Sequence, residues 1–167
     1  MSLLSITNLT FAWPGSYDNV FTDLNLQLDT GWKLGLTGRN GRGKTTLLRL
    51  LCGEEEYAGS IRLTEQPRRF PYPAPDPEAT VAQAARAAAG GDPADWELER
   101  ELGLLGLGEE FLDRRFGSLS PGEQTRVLLA ALFLKEQAFL LIDEPTNHLD
   151  GHAREKVAEY LSRKKGF

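Results

Sequence analysis

The chain has 167 residues, 41% of them hydrophobic, and sets 19 Lys and Arg against 24 Asp and Glu for a net charge of −5. That is enough apolar material for one compact domain with its own core. The acidic balance excludes a surface that grips nucleic acid over its whole extent, though not a local basic patch. A single cysteine, Cys52, cannot build a disulfide framework and fits a reducing compartment, where it reads as a small buried residue. The opening MSLLSITNLTF lacks the basic start and apolar run of a signal peptide, and no apolar stretch reaches bilayer length. The expected location is cytoplasmic.

Residues 3–13 and 20–28 predict two strands around a Pro14-Gly15-Ser16 turn, with Leu24, Leu26 and Leu28 alternating with polar neighbours. KLGLTG (33–38) predicts a short strand that runs into glycines, and TTLLRLLCG predicts a helix closed by Gly53. GSIRLT (59–64) predicts a further strand, and the five prolines between Pro67 and Pro77 predict a stiff extended connector. From Glu78 to Leu105 strong helix formers dominate, and Asp92-Pro93 opens a fresh helix after a Gly-Gly break. Another helix is expected from Pro121 to about Gln137. Together these define a helical subdomain, roughly 76–137, inserted into an α/β order. AFLLI (138–142) predicts a strand buried on both faces, and a last amphipathic helix puts Ala153, Val157 and Leu161 on one side.

Between the predicted strand and helix, Gly38-Arg39-Asn40-Gly41-Arg42-Gly43-Lys44-Thr45 fits the phosphate-loop pattern G-x-x-x-x-G-K-[ST]. Glycines let such a loop curl until successive backbone N–H groups converge on a phosphate. The helix that follows points its positive end at the same anion. Lys44 would reach the β- and γ-phosphates and the Thr45 hydroxyl would ligate magnesium, with Thr46 completing the nucleotide-binding set. ATP and Mg2+ are therefore the expected cofactors. A chance glycine-rich turn is the bland alternative, and the strand–loop–helix context weighs against it.

FLLIDEP (139–145) is an apolar strand that ends in two carboxylates. Strand ends in an open parallel sheet face the ligand crevice, so Asp143 would hold magnesium beside the loop. Glu144 is the candidate catalytic residue, orienting or deprotonating the attacking water. By itself the pair could be an ordinary acidic turn. Upstream, Leu119-Ser120-Pro121-Gly122-Glu123-Gln124 starts a helix well: Ser120 is an N-cap, Pro121 takes the first helical position and Glu123 completes a capping box.

That hexamer, lying between the phosphate loop and the acidic strand, resembles the LSGGQ signature of ATP-binding cassette (ABC) ATPases. The resemblance implies an α/β fold: a P-loop NTPase, ABC-type nucleotide-binding domain over 1–167, with an N-terminal antiparallel β subdomain and an inserted α-helical subdomain. It implies an ATPase that releases ADP and phosphate. It also implies that Trp13 stacks on adenine, with Tyr17 a weaker candidate, and that Asp150 ends a D-loop that crosses a dimer interface. In this family two cassettes face each other head to tail. The implied partner is therefore a second cassette, in a homodimer or another half of one chain, whose signature residues close the ATP site. LIDEPTNHLD, FAWPGSYDNVF and WKLGLTGRNGRGKTT resemble the ABC-F branch, and within it the ribosome-protection members. Those are soluble, carry paired cassettes and act on ribosomes in translation or antibiotic resistance. The alternative is the ATP-binding subunit of an ABC membrane transporter. A third reading, a catalytically dead regulatory module, is disfavoured by Lys44, Asp143 and Glu144.

Three features depart from the family pattern. Gln66 lies in the Q-loop window, but Tyr72 stands where its glutamine is expected. Pro121 replaces the usual glycine. No histidine occupies the switch position, since His148 and His152 read as loop or helix-surface residues. The expectation is an incomplete N-terminal cassette with an exposed sheet edge, able to bind ATP and weak or inactive as an isolated ATPase.

Overall fold

The computed structural model describes residues 3–73, 75–134, 138–147 and 149–167. Two compact units emerge: Met1–Arg69 with Gln137–Asp143 and Lys165–Phe167, and Phe70–Glu136 with Glu144–Lys164.

In the first unit β1 (Leu3–Phe11) is the middle strand of an antiparallel sheet, between β2 (Phe21–Asp29) and β3 (Ala58–Leu63). Its buried face begins with Leu4 and Ile6 and continues with Leu9 and Phe11, so the alternation slips by one residue. The slip is a bulge: the register shifts between Ile6 and Leu9, and Asn8 takes a left-handed φ of 51°. Opposite it, Gly59 has φ +101°, and a Cβ there would lie 2.4 Å from the Asn8 carbonyl oxygen, so the bulge requires glycine. Helix α1 (Lys44–Leu51) packs Leu47, Leu48, Leu50 and Leu51 with this face, joined by Phe139 and Leu141 of β5 (Phe139–Ile142).

Two expectations change here. The proline-rich connector begins as a strand, β4 (Pro67–Phe70), which pairs with β5. Proline is tolerated as the first residue of a strand, where its missing N–H matters least. KLGLTG, in contrast, belongs to no strand among the described residues. Leu34 and Leu36 are 38% and 51% exposed, and the Leu34 N–H donates to the Phe167 carbonyl at 2.9 Å. An apolar run becomes a strand only when a neighbour takes up its backbone groups in register.

The second unit is helical: α2 (Val81–Ala89), α3 (Asp95–Leu104), α4 (Pro121–Leu132) and α5 (Gly151–Arg163). Thr80 caps α2 by accepting from the Gln83 N–H while the Gln83 side chain accepts from the Thr80 N–H. Val81, Ala84, Ala85, Ala88 and Ala89 make the buried side of α2, and both α2 and α3 pack on α4. Helix α4 stops at Leu132, short of the expected end near Gln137, and residues 135–137 lie outside the described residues.

Helix α5 buries Ala153 and Val157 as expected, but its third anchor is Tyr160, with Leu161 only half-buried. A polar partner explains the choice. Glu101 on α3 is 3% exposed, and its Oε2 accepts from the Tyr160 hydroxyl and the Lys164 ammonium, while Arg100 bonds Oε1 at 3.1 Å. Burial pushes the Glu101 carboxyl up, but the hydrogen bonds from Lys164 and Tyr160 and the Lys164 charge together hold it below its usual value. The same surroundings raise the Tyr160 hydroxyl far above the ordinary phenol range, burial first and Glu101 second. Lys164 lies over the rings of Phe133 and Tyr160, 5.1 and 4.7 Å from their centroids.

Candidate nucleotide-binding site

The phosphate loop leads straight into the core helix of the first unit. Gly41 and Gly43 have φ of 75° and 84°, conformations that L side chains rarely adopt. At Gly43 packing adds to the requirement, since a Cβ would lie 2.6 Å from Val20 Cγ1 and 3.0 Å from Phe21 Cζ. Gly43 is also the N-cap of α1, and without a side chain it offers no acceptor to the first-turn amides: no cap bond is present, and the first turn has no acidic residue. The first-turn amides have no intrahelical acceptor by the geometry of any helix. This end therefore offers N–H groups and positive potential to an anion.

Lys44 is held inside the loop, its Nζ donating to the carbonyls of Gly38 at 2.9 Å and Arg39 at 3.1 Å. Those bonds aim the ammonium across the loop's own curl. Arg39, Asn40, Arg42 and Thr45 are exposed, whereas the Thr46 side chain is buried in the core at 8% exposure, which leaves its backbone as the part able to meet a phosphate. Asp143 follows β5 directly and is half-buried in this same unit. One hydroxyl and one carboxylate suit magnesium, which keeps several waters and substrate phosphates in its shell. Among the described residues no three His, Cys, Asp or Glu side chains gather as a metal cage.

Trp13 packs at the margin of the first core. Its ring meets Phe11 edge-on at 5.0 Å, and the Arg49 guanidinium lies 5.2 Å from its centroid. Tyr17, the weaker candidate, is fully exposed.

The remaining candidates belong to the second unit. Glu144 has a left-handed φ of 44°, an uncommon and strained state for a residue with a long side chain. Asn147 holds it: its Nδ2 donates to Glu144 Oε2 at 2.7 Å and its N–H donates to the Glu144 carbonyl at 3.1 Å. In sequence Asn147 is only one letter of the expected D-loop string Thr146–Asp150; the strained neighbour shows what its side chain does.

In the signature segment, Ser120 Oγ accepts from the Glu123 N–H at 3.3 Å, and Glu123 Oε2 accepts from the Ser120 N–H at 2.7 Å and Oγ–H at 2.8 Å. The Ser120 backbone bond leads in holding the Glu123 carboxyl below its usual range. Gln124 turns back, donating to the Phe116 and Leu119 carbonyls at 3.3 and 3.2 Å, while Leu119 itself is buried. Pro121 is exposed at the first helical position and Gly122 is half-buried. Asp150 is the N-cap of α5, its Oδ1 accepting from the Ala153 N–H at 2.8 Å. Tyr72, which stands where the family resemblance expects the Q-loop glutamine, donates its hydroxyl to the Leu128 carbonyl. His152 is exposed at the start of α5, and His148 lies outside the described residues.

The profile of the ABC transporter family matches residues 21–147. ABC transporter F family member 2 of Arabidopsis thaliana is 33% identical over 99% of this chain and 25% of its own length. The tylosin resistance ATP-binding protein TlrC of Streptomyces fradiae is 33% identical over 90% of this chain and 36% of its own. The ribosome protection protein VmlR of Bacillus subtilis is 30% identical over 98% of this chain and 30% of its own. The chain thus spans roughly a quarter to a third of the length of these relatives. Among solved structures, a metal-chelate type ABC transporter in an inward-facing conformation superposes with a TM-score of 0.75 at 28% identity, over 96% of this chain and 66% of that one. An ABC transporter ATP-binding protein from Pyrococcus furiosus has a TM-score of 0.80 at 24% identity, over 96% and 84%, a likeness of fold.

Proposed function

This chain belongs to the ABC transporter family, and from that premise we propose that it is one ATP-hydrolysing cassette of an ABC-F protein that acts on ribosomes. The observation that carries the nucleotide reading is the start of α1: a left-handed glycine cap without a side chain, and Lys44 folded over the loop's own carbonyls. Phosphate oxygens would meet the amides of residues 41–46, and Lys44 would exchange the Gly38 and Arg39 carbonyls for β- and γ-phosphate oxygens. Adenine would stack on Trp13. Magnesium, when bound, neutralises charge on the phosphates; Thr45 and Asp143 are the residues that would hold it. Glu144, oriented by Asn147, would hold the attacking water and take its proton.

Closing the site needs a second cassette, supplied by another copy or by more of the same chain, with Ser120 and the α4 N-terminus meeting the γ-phosphate across the interface and Asp150 beside it. The ABC-F reading is supported by the relatives, which include a protein named for ribosome protection and another for tylosin resistance. Co-sedimentation with purified ribosomes is the test. The Glu144→Gln form with ATP should pellet with them, and the form without nucleotide should stay in solution. If ATP makes no difference and the protein pellets instead with membranes that carry transporter subunits, the chain is the ATP-binding subunit of a transporter.

A further inference from the structure

We propose that Arg49 is a positioning residue for the base: its guanidinium braces one face of Trp13, so that adenine takes the other. The inference rests on the nucleotide reading above and adds a part to it. Arg49 lies in the last turn of α1, five residues beyond Lys44, about 7.5 Å along the helix at 1.5 Å per residue. One short rigid element thus carries the phosphate lysine at its start and the brace for the base at its end.

Two carboxylates hold the guanidinium as ion pairs. It pairs with Glu55 through Nη2 and with Glu54 at 3.3 Å from Nε, and Glu54 is itself gripped by Arg69 at 3.1 and 3.2 Å. Backbone bonds tighten the same turn, with the N–H groups of Cys52 and Glu54 donating to the Arg49 carbonyl at 3.1 and 3.0 Å. A free surface arginine would lose rotamer freedom on stacking; this one is already ordered by two carboxylates. With the Phe11 ring nearly perpendicular to the indole and Arg49 over one face, Trp13 is fixed in plane and angle while staying partly exposed. A flat apolar ring held in this way loses little entropy when a purine stacks on its remaining face.

The test compares ATP with inorganic tripolyphosphate, which has the phosphates and no base. Both are titrated with magnesium into the full chain carrying Trp32→Phe and Trp96→Phe, so that Trp13 is the single fluorophore; both replaced residues are well exposed, at 58% and 59%. Arg49→Ala should weaken ATP roughly threefold to tenfold, the range set by a cation–π brace, and leave tripolyphosphate unchanged. Arg49→Lys should recover part of the loss. Glu55→Gln, which loosens the clamp without touching the ring, should give a smaller loss of the same kind, and it keeps the test alive if Arg49→Ala folds poorly. Equal loss of ATP and tripolyphosphate would make Arg49 merely structural and overturn the brace. So would a normal ATP preference in Arg49→Ala and Glu55→Gln while Trp13→Ala, titrated by calorimetry because it lacks the fluorophore, loses it. If Trp13→Ala keeps the full preference for ATP over tripolyphosphate, adenine does not stack there, and the platform falls together with its brace.

Discussion

Two helices in this molecule begin in opposite ways. Helix α1 starts on a left-handed glycine with no side-chain cap, so its first amides and positive end are offered outward. Helix α4 starts on a serine and a glutamate that satisfy each other, with a carboxylate already at the third helical position. The first start forgoes a side-chain cap and leaves its amides able to meet an anion. The second is a stable helix beginning that reaches a phosphate only if a ligand competes with Glu123 for the Ser120 hydroxyl. This contrast explains why the phosphate loop is so legible in sequence and the signature so easily taken for an ordinary cap.

The largest expected effect separates chemistry from binding. Glu144→Gln should lower phosphate release in the paired-cassette assembly by on the order of 10²- to 10⁴-fold and leave ATP affinity as it was, read by steady-state phosphate assay beside an equilibrium titration. Unchanged release would remove Glu144 from the reaction. Next, Lys44→Ala should weaken ATP binding by about a hundredfold or more, through the loss of charge-assisted bonds to phosphate, while thermal stability stays close to the parent. Equal affinity in the variant would break the receptor reading of α1.

Gly43→Ala sharpens the same side, because it places a Cβ in a left-handed residue against Val20 and Phe21. It should cost about 1–3 kcal/mol in denaturant unfolding and weaken ATP as well. On the other side, Ser120→Ala should cost about 1 kcal/mol of unfolding free energy and leave ATP binding to the isolated chain unchanged. A loss of ATP affinity there would mean that the two helix starts are not so different after all.

A pH dependence is expected in the second unit. The folded-state pKa of Glu101 is depressed, so its contribution is present above the unfolded carboxylate value near 4.3 and fades as pH falls through the lower folded value. Glu123, depressed as well but at an exposed helix start, adds a smaller share in the same window. The melting temperature should fall more steeply below about pH 4.5 in the parent than in Glu101→Gln, which should itself be about 2–3 kcal/mol less stable at neutral pH because Lys164 keeps a partly buried charge without its partner. Parallel acid limbs in the two proteins would show that Glu101 carries no net charge interaction.

Much of this could be read before any coordinates. The phosphate loop, the acidic strand end, the cap at Ser120 and the strands of the β1–β3 sheet are legible in the residues alone, because each is set by local chemistry. Glycine at fixed spacing frees backbone, a capping box needs only four residues, and period-two apolar patterning marks a half-buried strand. Other features wait for the folded chain. Residues 33–38 carry the apolar letters of a strand, but a ladder also needs a neighbour far away in sequence, and no local pattern reports whether one arrives. The phase slip at Asn8 depends on Gly59 of another strand, and the burial of Tyr160 in place of Leu161 depends on Glu101, 59 residues earlier. Arg49 reads in sequence as one more basic residue near a helix end. Only the fold puts Trp13 under its guanidinium and pairs that group with two carboxylates, because contacts between distant segments are what a folded chain adds to its sequence.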